Sequence, residues 1–241
     1  MRKQSLLPLA GMLVGTLGLS GSPLAAVHCI DNAVDLQSAL NSVGEDDEIR
    51  LVQGTYVGNF LLPFVAPDGY GIRLLGGWTA GCATRTLDPT NTILDGNGAG
   101  SILHSGPVFV DDVDLLVEGL TLRNGVATQS PFWGGGLAFW GNYSRVTLRD
   151  NRFEGNHADQ GGGGVSIHTY GATSAIELTR NHFEANDSQF GGAVYGYAYD
   201  GGGTTWTDNR FVGNTAWHGG AVDAYLVPEQ KSRFLFPNSG L

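Results

Sequence analysis

Residues 148–156 read Leu-Arg-Asp-Asn-Arg-Phe-Glu-Gly-Asn, and two later stretches, 178–186 and 206–214, repeat the pattern as Leu-Thr-Arg-Asn-His-Phe-Glu-Ala-Asn and Trp-Thr-Asp-Asn-Arg-Phe-Val-Gly-Asn. The copies begin 30 and then 28 residues apart. Each is followed, after a short polar gap, by a Gly-Gly-(Gly/Ala)-Val run, at 162–165, 191–194 and 219–222. Repeats of about 20–50 residues are typical of solenoids, in which every unit buries its apolar face against its neighbours.

Each unit combines a strand with columns of identical side chains. Apolar residues alternate with polar ones, the period-two pattern of a half-buried strand, in the pairs Val146 and Leu148, Ile176 and Leu178, and Thr204 and Trp206. One repeat position is always phenylalanine and is expected to stack inside: Phe153, Phe183 and Phe211. Two further positions are asparagines, whose amides can bond from coil to coil: Asn151, Asn181 and Asn209, and Asn156, Asn186 and Asn214. The sequence therefore predicts an all-β fold, a single-stranded right-handed parallel β-helix.

The repeat loosens upstream but persists. Strand-like runs at 48–52, 71–75 and 91–94 are spaced by about 20 residues and end in glycine turns, so we expect roughly seven coils between residues 47 and 228. The segment 34–43 instead shows helical spacing, with Leu36, Ala39, Leu40 and Val43 on one face. A short helix there, within an N-terminal cap over 27–46, would cover the open end of the first coil. Residues 229–241 are expected to form an irregular C-terminal tail.

The N-terminus has the pattern of a secretory signal. Arg2 and Lys3 precede an apolar run from Leu6 to Leu19, and small residues follow up to Ala26. A charged start, a short apolar stretch and a small-residue cleavage site predict a signal peptide over 1–26. The mature protein is then expected to be secreted, periplasmic or on the outer membrane and cell surface of a bacterium, with membrane contact only through export or a missing anchor.

Cys29 and Cys82 are the two cysteines of the chain. In an oxidising compartment they are expected to form a disulfide that ties the N-terminal segment to an early coil. Two separate buried thiols are the alternative, and a metal site made by two cysteines alone is a weaker one. No spacing of the histidines, cysteines and carboxylates predicts a resident metal.

The chain is acidic, with a formal net charge of −10 at pH 7. Such a charge, without a basic stripe, repels nucleic acid, so no nucleic-acid partner is expected. It also disfavours polyanionic sugars unless bound calcium reverses the local charge. The run at 111–114, Asp-Asp-Val-Asp, superficially suggests calcium. It lacks the glycine and terminal glutamate of an EF-hand loop, and a solvated turn is the simpler interpretation.

The repeated motifs resemble those of a known family. Phe153-Glu154-Gly155-Asn156 and its two later copies are similar to the F-x-x-N motif of polymorphic outer-membrane protein repeats, and the glycine runs to the companion G-G-A-(I/L/V) motif. The N-terminal stretches 47–51, 54–56 and 93–96 resemble the opening coils of the pectate-lyase-like β-helix class. The resemblance covers most of 34–227. It implies surface display or secretion, often adhesion and sometimes polysaccharide cleavage. Unlike membrane-anchored members, the chain shows no translocator barrel before Leu241, which suggests a small secreted version or a piece of a larger protein.

The register predicts an outward aromatic ladder on one sheet. Residues after the glycine pairs alternate in direction, and since Val165 and Ile167 are apolar and inward, their alternates point outward. The outward columns hold the candidate ligand-binding residues Trp140, His168, Tyr170, Tyr195, Tyr197, Tyr199 and Tyr225. Stacked aromatics can simply stabilise a sheet. They can equally form a platform for the apolar faces of sugars.

Three functional hypotheses follow from these patterns. The first is a non-catalytic, adhesin-like or polysaccharide-binding protein whose partner is a polysaccharide or cell-surface glycan. The second is a polysaccharide-degrading enzyme, most simply a lyase, with His168, Tyr197 and Asp223 as weak catalytic candidates, because they offer a general base and acid. The third is a purely structural fragment of a larger protein, with the functional domain expected beyond Leu241. A groove with arginines beside carboxylates would favour the enzyme, and a flat aromatic sheet would favour binding.

Overall fold

Short parallel strands wind around one apolar core in the computed structural model of this protein, which describes residues 25–44, 46–62, 70–106, 109–128, 133–200 and 202–226. The architecture is an all-β parallel β-solenoid of about six turns with little helix, consistent with a right-handed parallel β-helix. The expected count of roughly seven coils differs because the run at 91–94 does not begin a new turn. Its strand, Thr92–Asp95, belongs to another sheet of the turn that already contains Tyr70–Trp78.

Four sheets run along the solenoid, and every turn contributes a strand to most of them. Sheet 1 contains β1 (Val27–Ile30), β2 (Asp47–Val52), β5 (Tyr70–Trp78), β9 (Val113–Glu118), β13 (Arg145–Arg149), β17 (Ala175–Thr179) and β21 (Gly203–Thr207). Sheet 2 contains β3 (Gly54–Val57), β6 (Thr92–Asp95), β10 (Thr121–Arg123), β14 (Arg152–Glu154), β18 (His182–Glu184) and β22 (Arg210–Val212).

The other two sheets complete each turn. Sheet 3 contains β11 (Val126–Ala127), β15 (His157–Ala158), β19 (Asp187–Phe190) and β23 (Thr215–His218). Sheet 4 contains β4 (Phe60–Leu61), β7 (Leu103–His104), β12 (Leu137–Asn142), β16 (Val165–Tyr170), β20 (Val194–Tyr199) and β24 (Val222–Leu226), and β8 (Val110–Asp111) also pairs with β12. Two 3-10 turns, Ala80–Cys82 and Pro89–Asn91, lie in the loop after β5.

The repeated phenylalanines and asparagines form the predicted internal columns. The rings of Phe153 and Phe183 stack with centroids 4.9 Å apart, and those of Phe183 and Phe211 with centroids 5.0 Å apart. In the asparagine column the side-chain oxygen of Asn181 accepts from the backbone and side-chain nitrogens of Asn151, at 3.1 and 3.2 Å. These bonds satisfy backbone groups at the corner between sheets 1 and 2, where the ladder itself is interrupted.

The paired glycines are needed for close approach of the backbone. A Cβ atom on Gly163 would lie 2.5 Å from the carbonyl oxygens of Asp187 and Gly192, and one on Gly135 would lie 2.5 Å from that of His157. Any side chain at these positions would force neighbouring coils apart. The repeated Gly-Gly runs therefore set the spacing of the turns at the entry to sheet 4.

The α-helix α1 (Ala33–Leu40) covers the first turn. Asn32 caps its N-terminus by accepting from the backbone nitrogen of Asp35 at 2.9 Å. Its buried face is made of Leu36, Ala39 and Leu40. The amide of Gln37 bonds both the oxygen and the nitrogen of Leu61 in β4, at 3.0 and 2.8 Å, so the helix also completes the backbone pairing of the first strand of sheet 4.

The expected disulfide joins Cys29 in β1 to Cys82 in the loop after β5. The two cysteines are 53 positions apart in the sequence, so the bond closes a long loop. By the loop-entropy model such a cross-link stabilises the folded chain by about 4 kcal/mol. The bond and α1 lie at the same end of the solenoid, so that end is secured twice. No helix within the described residues is long and apolar enough to cross a membrane. Nearly all of the predicted signal peptide and the whole predicted C-terminal tail lie outside the described residues.

The asparagine column generates a graded stability prediction. Asn181 is buried and takes part in five side-chain or backbone bonds to Asn151, Leu148 and Asn209. Asn181→Ala leaves several of these groups unpaired and is expected to lower the free energy of unfolding by about 3 kcal/mol or more. Asn209→Ala, in the last turn, should cost less because Asn209 is only half-buried and water reaches its partners.

Chemical denaturation of the two variants and the wild type measures both effects. Equal losses would contradict the prediction that burial within the column sets the cost. The prediction also fails if Asn181→Ala has the stability of the wild type.

Candidate functional site

The outer face of sheet 4 carries the predicted aromatic columns. Pairing between β12, β16 and β20 places Trp140 beside His168 and His168 beside Tyr197, while Tyr170 lies beside Tyr199. The rings of Tyr170 and Tyr199 stack at 4.6 Å with 4° between their planes, and those of His168 and Tyr197 at 5.0 Å with 17°. The predicted register is therefore correct. The backbone of Tyr225 pairs with that of Tyr197, and the structure does not describe the side chain of Tyr225.

The face is not the flat, solvent-facing ladder that alternation predicted. His168 is 6% exposed and Tyr195 is 7% exposed, while Trp140, Tyr197 and Tyr199 are half-buried. Outward direction on a strand does not ensure exposure when a neighbouring loop folds over the sheet. The rings instead line a shallow depression of about 320 Å³.

Two aromatic residues that the repeat did not reveal form the rim of this depression. Trp133 contacts Trp140 and His168 with centroid distances of 5.3 and 5.1 Å. Phe109, 42% exposed, lies 5.5 Å from Trp140 and 5.2 Å from Tyr170. Both belong to irregular segments that precede strands of sheet 4, so no repeat position marks them. Their only sequence signal is an aromatic residue close to a sheet-4 strand.

His168 is enclosed by rings. The centroids of Trp133, Trp140, Tyr195 and Tyr197 lie 5.0–5.6 Å from that of its imidazole. Burial lowers the pKa of His168 to about 4, so the imidazole is neutral at physiological pH. Its Nε2 is buried and has no hydrogen-bond partner in the part of the chain that the structure describes. Such a group is suited to lining a pocket rather than to carrying a charge.

The lining of the depression contains no ionised side chain among the described residues; it consists of phenyl, indole, phenol and imidazole rings. Tyr170 and Tyr199 keep their phenolic protons, since burial raises the pKa of each. The depression also contains a hydrogen bond, in which the hydroxyl of Tyr195 donates to that of Tyr197 at 2.7 Å. The surface thus combines apolar ring faces with a few hydroxyl groups.

The weak catalytic candidates are only partly brought together. His168 and Tyr197 are neighbours in register, but Asp223 pairs with Tyr195 and so lies in a different column. Burial raises the pKa of Asp223, and the charge of His218 opposes this change. His168 and Tyr197 contact each other through their stacked rings, and Asp223 is placed in the neighbouring column.

A second depression, of about 440 Å³, lies on the outer face of sheet 1 and is charged. Arg145 pairs in register with Asp114, and Arg73 and Glu177 line the same hollow. Burial raises the pKa of Asp114, although the positive charge of Arg145 opposes the shift. Nearby, Glu118 is bonded by Arg85 and Arg149. Sequence reasoning did not single out this arginine and carboxylate group, because its members come from non-identical positions of different turns.

No group of three or more histidine, cysteine, aspartate or glutamate side chains in the described residues is placed to hold a metal ion. In the run that superficially suggested calcium, Asp111 accepts from the side chain of Asn142 at 2.7 Å, and Asp112 has a left-handed backbone conformation with φ of 51°. The Asn142 bond links Asp111 to its register partner in β12, and the backbone of Asp112 makes the turn between β8 and β9.

Comparison with known proteins gives no family assignment: no family model matches the chain, and no curated protein is similar enough to count as a relative.

The buried imidazole generates a prediction on acid stability. A histidine whose pKa is lowered in the folded state stabilises the fold fully above its unfolded pKa of about 6.5, and this contribution is lost as the pH falls toward the folded value. Between pH 7 and pH 4 the loss for His168 is on the order of 3 kcal/mol. His168→Phe keeps a ring and removes the titration, so its unfolding free energy should fall less over this range.

Denaturant titrations of both proteins at pH 7 and pH 4 measure the difference. Carboxylates titrate equally in both proteins and therefore cancel. An identical acid-induced loss in His168→Phe would show that the imidazole is not buried as described.

Proposed function

We propose that this protein is an exported, non-catalytic glycan-binding protein, adhesin-like or polysaccharide-binding, whose ligand lies in the aromatic depression of sheet 4. The aromatic depression is the main support for this proposal, because ring faces from three turns and two irregular segments converge there. Sugar rings offer apolar C–H faces that pack on aromatic faces, and hydroxyl groups that bond phenols.

The chemistry of the lining supports an uncharged ligand. A uronate or sulfated sugar would leave its anion without a partner, because the lining has no cation among the described residues and His168 is neutral. Burying an unpaired charge is costly. A neutral hexose polymer avoids that cost and makes use of the Tyr195 and Tyr197 hydroxyls. This ligand class also suits a chain with a formal net charge of −10.

The proposed setting is the exterior of a bacterial cell, within the pectate-lyase-like class with polymorphic outer-membrane type repeats. The signal pattern at 1–26 and the Cys29–Cys82 disulfide support export, since disulfides persist in oxidising compartments. The stacked phenylalanines and bonded asparagines support the assignment of the repeats, because the two fixed positions of the F-x-x-N motif are those that form the columns.

A glycan array compares the wild type with the Trp140→Ala/Tyr197→Ala variant. Because these two rings provide ring faces of the depression on β12 and β20, the strands on either side of β16, the variant should bind neutral oligosaccharides at least about tenfold more weakly, a loss of about 1.4 kcal/mol. Tyr143→Ala is the matched control, as Tyr143 is 58% exposed and lies outside the depression.

Thermal unfolding of each variant separates lost binding from lost folding. Undiminished binding by a folded Trp140→Ala/Tyr197→Ala variant, or no glycan bound by the wild type, would overturn the proposal.

A polysaccharide lyase is the second candidate, and the charged depression on sheet 1 favours it. In a β-elimination a base removes the proton next to a uronate carboxyl group, a carbon–carbon double bond forms, and the glycosidic oxygen leaves and takes up a proton. Arg145 and Arg73 would hold the uronate carboxylate, and Asp114, whose pKa is raised, would accept the proton. This site, rather than His168, Tyr197 and Asp223, has arginines beside carboxylates.

Incubation with uronate polymers and calcium tests this candidate through the ultraviolet absorbance of the unsaturated product. Activity should disappear in Asp114→Asn and remain in Glu154→Gln, a surface control on β14. Absence of absorbance in the wild type removes the lyase and leaves the binding proposal intact.

A further inference from the structure

Trp217, in β23 of sheet 3, is 86% exposed, more than any other large apolar side chain of the described residues. Its neighbours in the strand are placed differently: Ala216 is half-buried opposite Ser188, and the ring of His218 stacks on that of Phe190 at 5.4 Å. Trp217 therefore projects from the sheet by normal strand alternation. An indole left almost entirely in water often marks an interaction site.

The indole forms one wall of a depression of about 310 Å³. The preceding two turns provide its other walls, whose polar side chains include His157 and Asp159 from the turn of β15 and Asp187 and Gln189 from β19. Three successive turns thus build one hollow. It lies on sheet 3, whereas the aromatic depression lies on sheet 4 and shares none of these side chains.

The polar groups are held in fixed positions. Nδ1 of His157 lies 2.7 Å from an oxygen of Asp187, and Nε2 lies 3.1 Å from an oxygen of Asp159. Partial burial lowers the pKa of His157, but the hydrogen bonds to Asp187 and Asp159 outweigh it and leave the pKa above its usual value. The imidazole uses one oxygen of each carboxylate. The side chains of Asp159 and Asp187 are 56% and 52% exposed, so each carboxylate can accept further hydrogen bonds.

This arrangement selects among ligand classes. Two carboxylates repel an anion, and a purely apolar ligand would have to desolvate them. A cation would have to compete with the His157 imidazole, which already bonds both carboxylates. Hydroxyl groups, in contrast, can donate to the remaining carboxylate oxygens and to Gln189 while a ring of C–H groups packs on the indole.

We propose that the depression formed by Trp217, Gln189, Asp187 and Asp159 is a second saccharide site that binds the ring of an uncharged, hydroxyl-rich sugar. The site stands independently of the aromatic depression. The two lie on either side of one corner of the solenoid, because Phe190 contacts Tyr195 on sheet 4 at 5.7 Å and His218, the residue after Trp217, on sheet 3. A protein with both sites gains affinity for polymers by holding them at two points.

The test measures binding of the whole chain to neutral oligosaccharides of glucose, galactose and mannose, with amino-sugar and uronate oligomers as charged probes. Trp217→Ala should weaken binding of at least one neutral oligosaccharide tenfold or more, and Trp217→Phe should retain part of it. Asp187→Asn should also weaken it. Val34→Ala, which removes an apolar side chain that is 76% exposed on α1, is the matched control.

The outcomes distinguish this site from the first. Loss with Trp217→Ala but not with Trp140→Ala/Tyr197→Ala supports the second site and overturns the first, and the reverse result overturns the second. Wild-type binding in Trp217→Ala, or a loss confined to amino-sugar or uronate probes, overturns the saccharide proposal. Because Trp217 is 86% exposed, its replacement should leave the fold intact, and thermal unfolding of each protein checks this.

Discussion

The asparagine bonds between successive turns are the interaction on which the rest of the structure depends. Each amide in the buried columns accepts from the asparagine of the preceding turn and donates to a backbone carbonyl there, as Asn156, Asn186 and Asn214 show. A slip of one residue would break these bonds and reverse every side chain in the adjoining strands. The columns therefore fix the register, and the register aligns the rings of sheet 4 and the polar groups of sheet 3.

Much of the fold could be predicted because it is repeated. A phenylalanine or asparagine that returns every 28 to 30 residues signals one environment, and the stacking of Phe183 on Phe153 confirms it. The capping helix and the disulfide were also predictable, from helical spacing and from cysteine count. The number of turns was not, because a turn has strands in several sheets and spacing alone does not tell which sheet the run at 91–94 joins.

The candidate site shows where prediction from the repeat ends. Strand alternation correctly placed Trp140, His168 and Tyr197 in one outward column. It could not show that Trp133 packs against Trp140 and His168, because Trp133 lies in an irregular segment whose path is set by tertiary packing. Burial of His168 follows from that packing. The Trp217 hollow was missed for a related reason, since its side chains occupy different positions in three turns and only their stacking brings them together.

The two ends of the described solenoid differ in how their strand edges are covered. At one end α1 and the Cys29–Cys82 bond close the first turn, while at the other the strands from β21 to β24 present edges that pair with no further described strand. Turns of a solenoid depend on their neighbours, so α1 and the disulfide make local opening of the first turns costly. Trp217 and Tyr197 belong to the last two described turns, far along the solenoid from this closed end. In the proposed function a bound polymer would therefore pull on turns remote from the disulfide, and the closed turns would remain folded as a template for refolding.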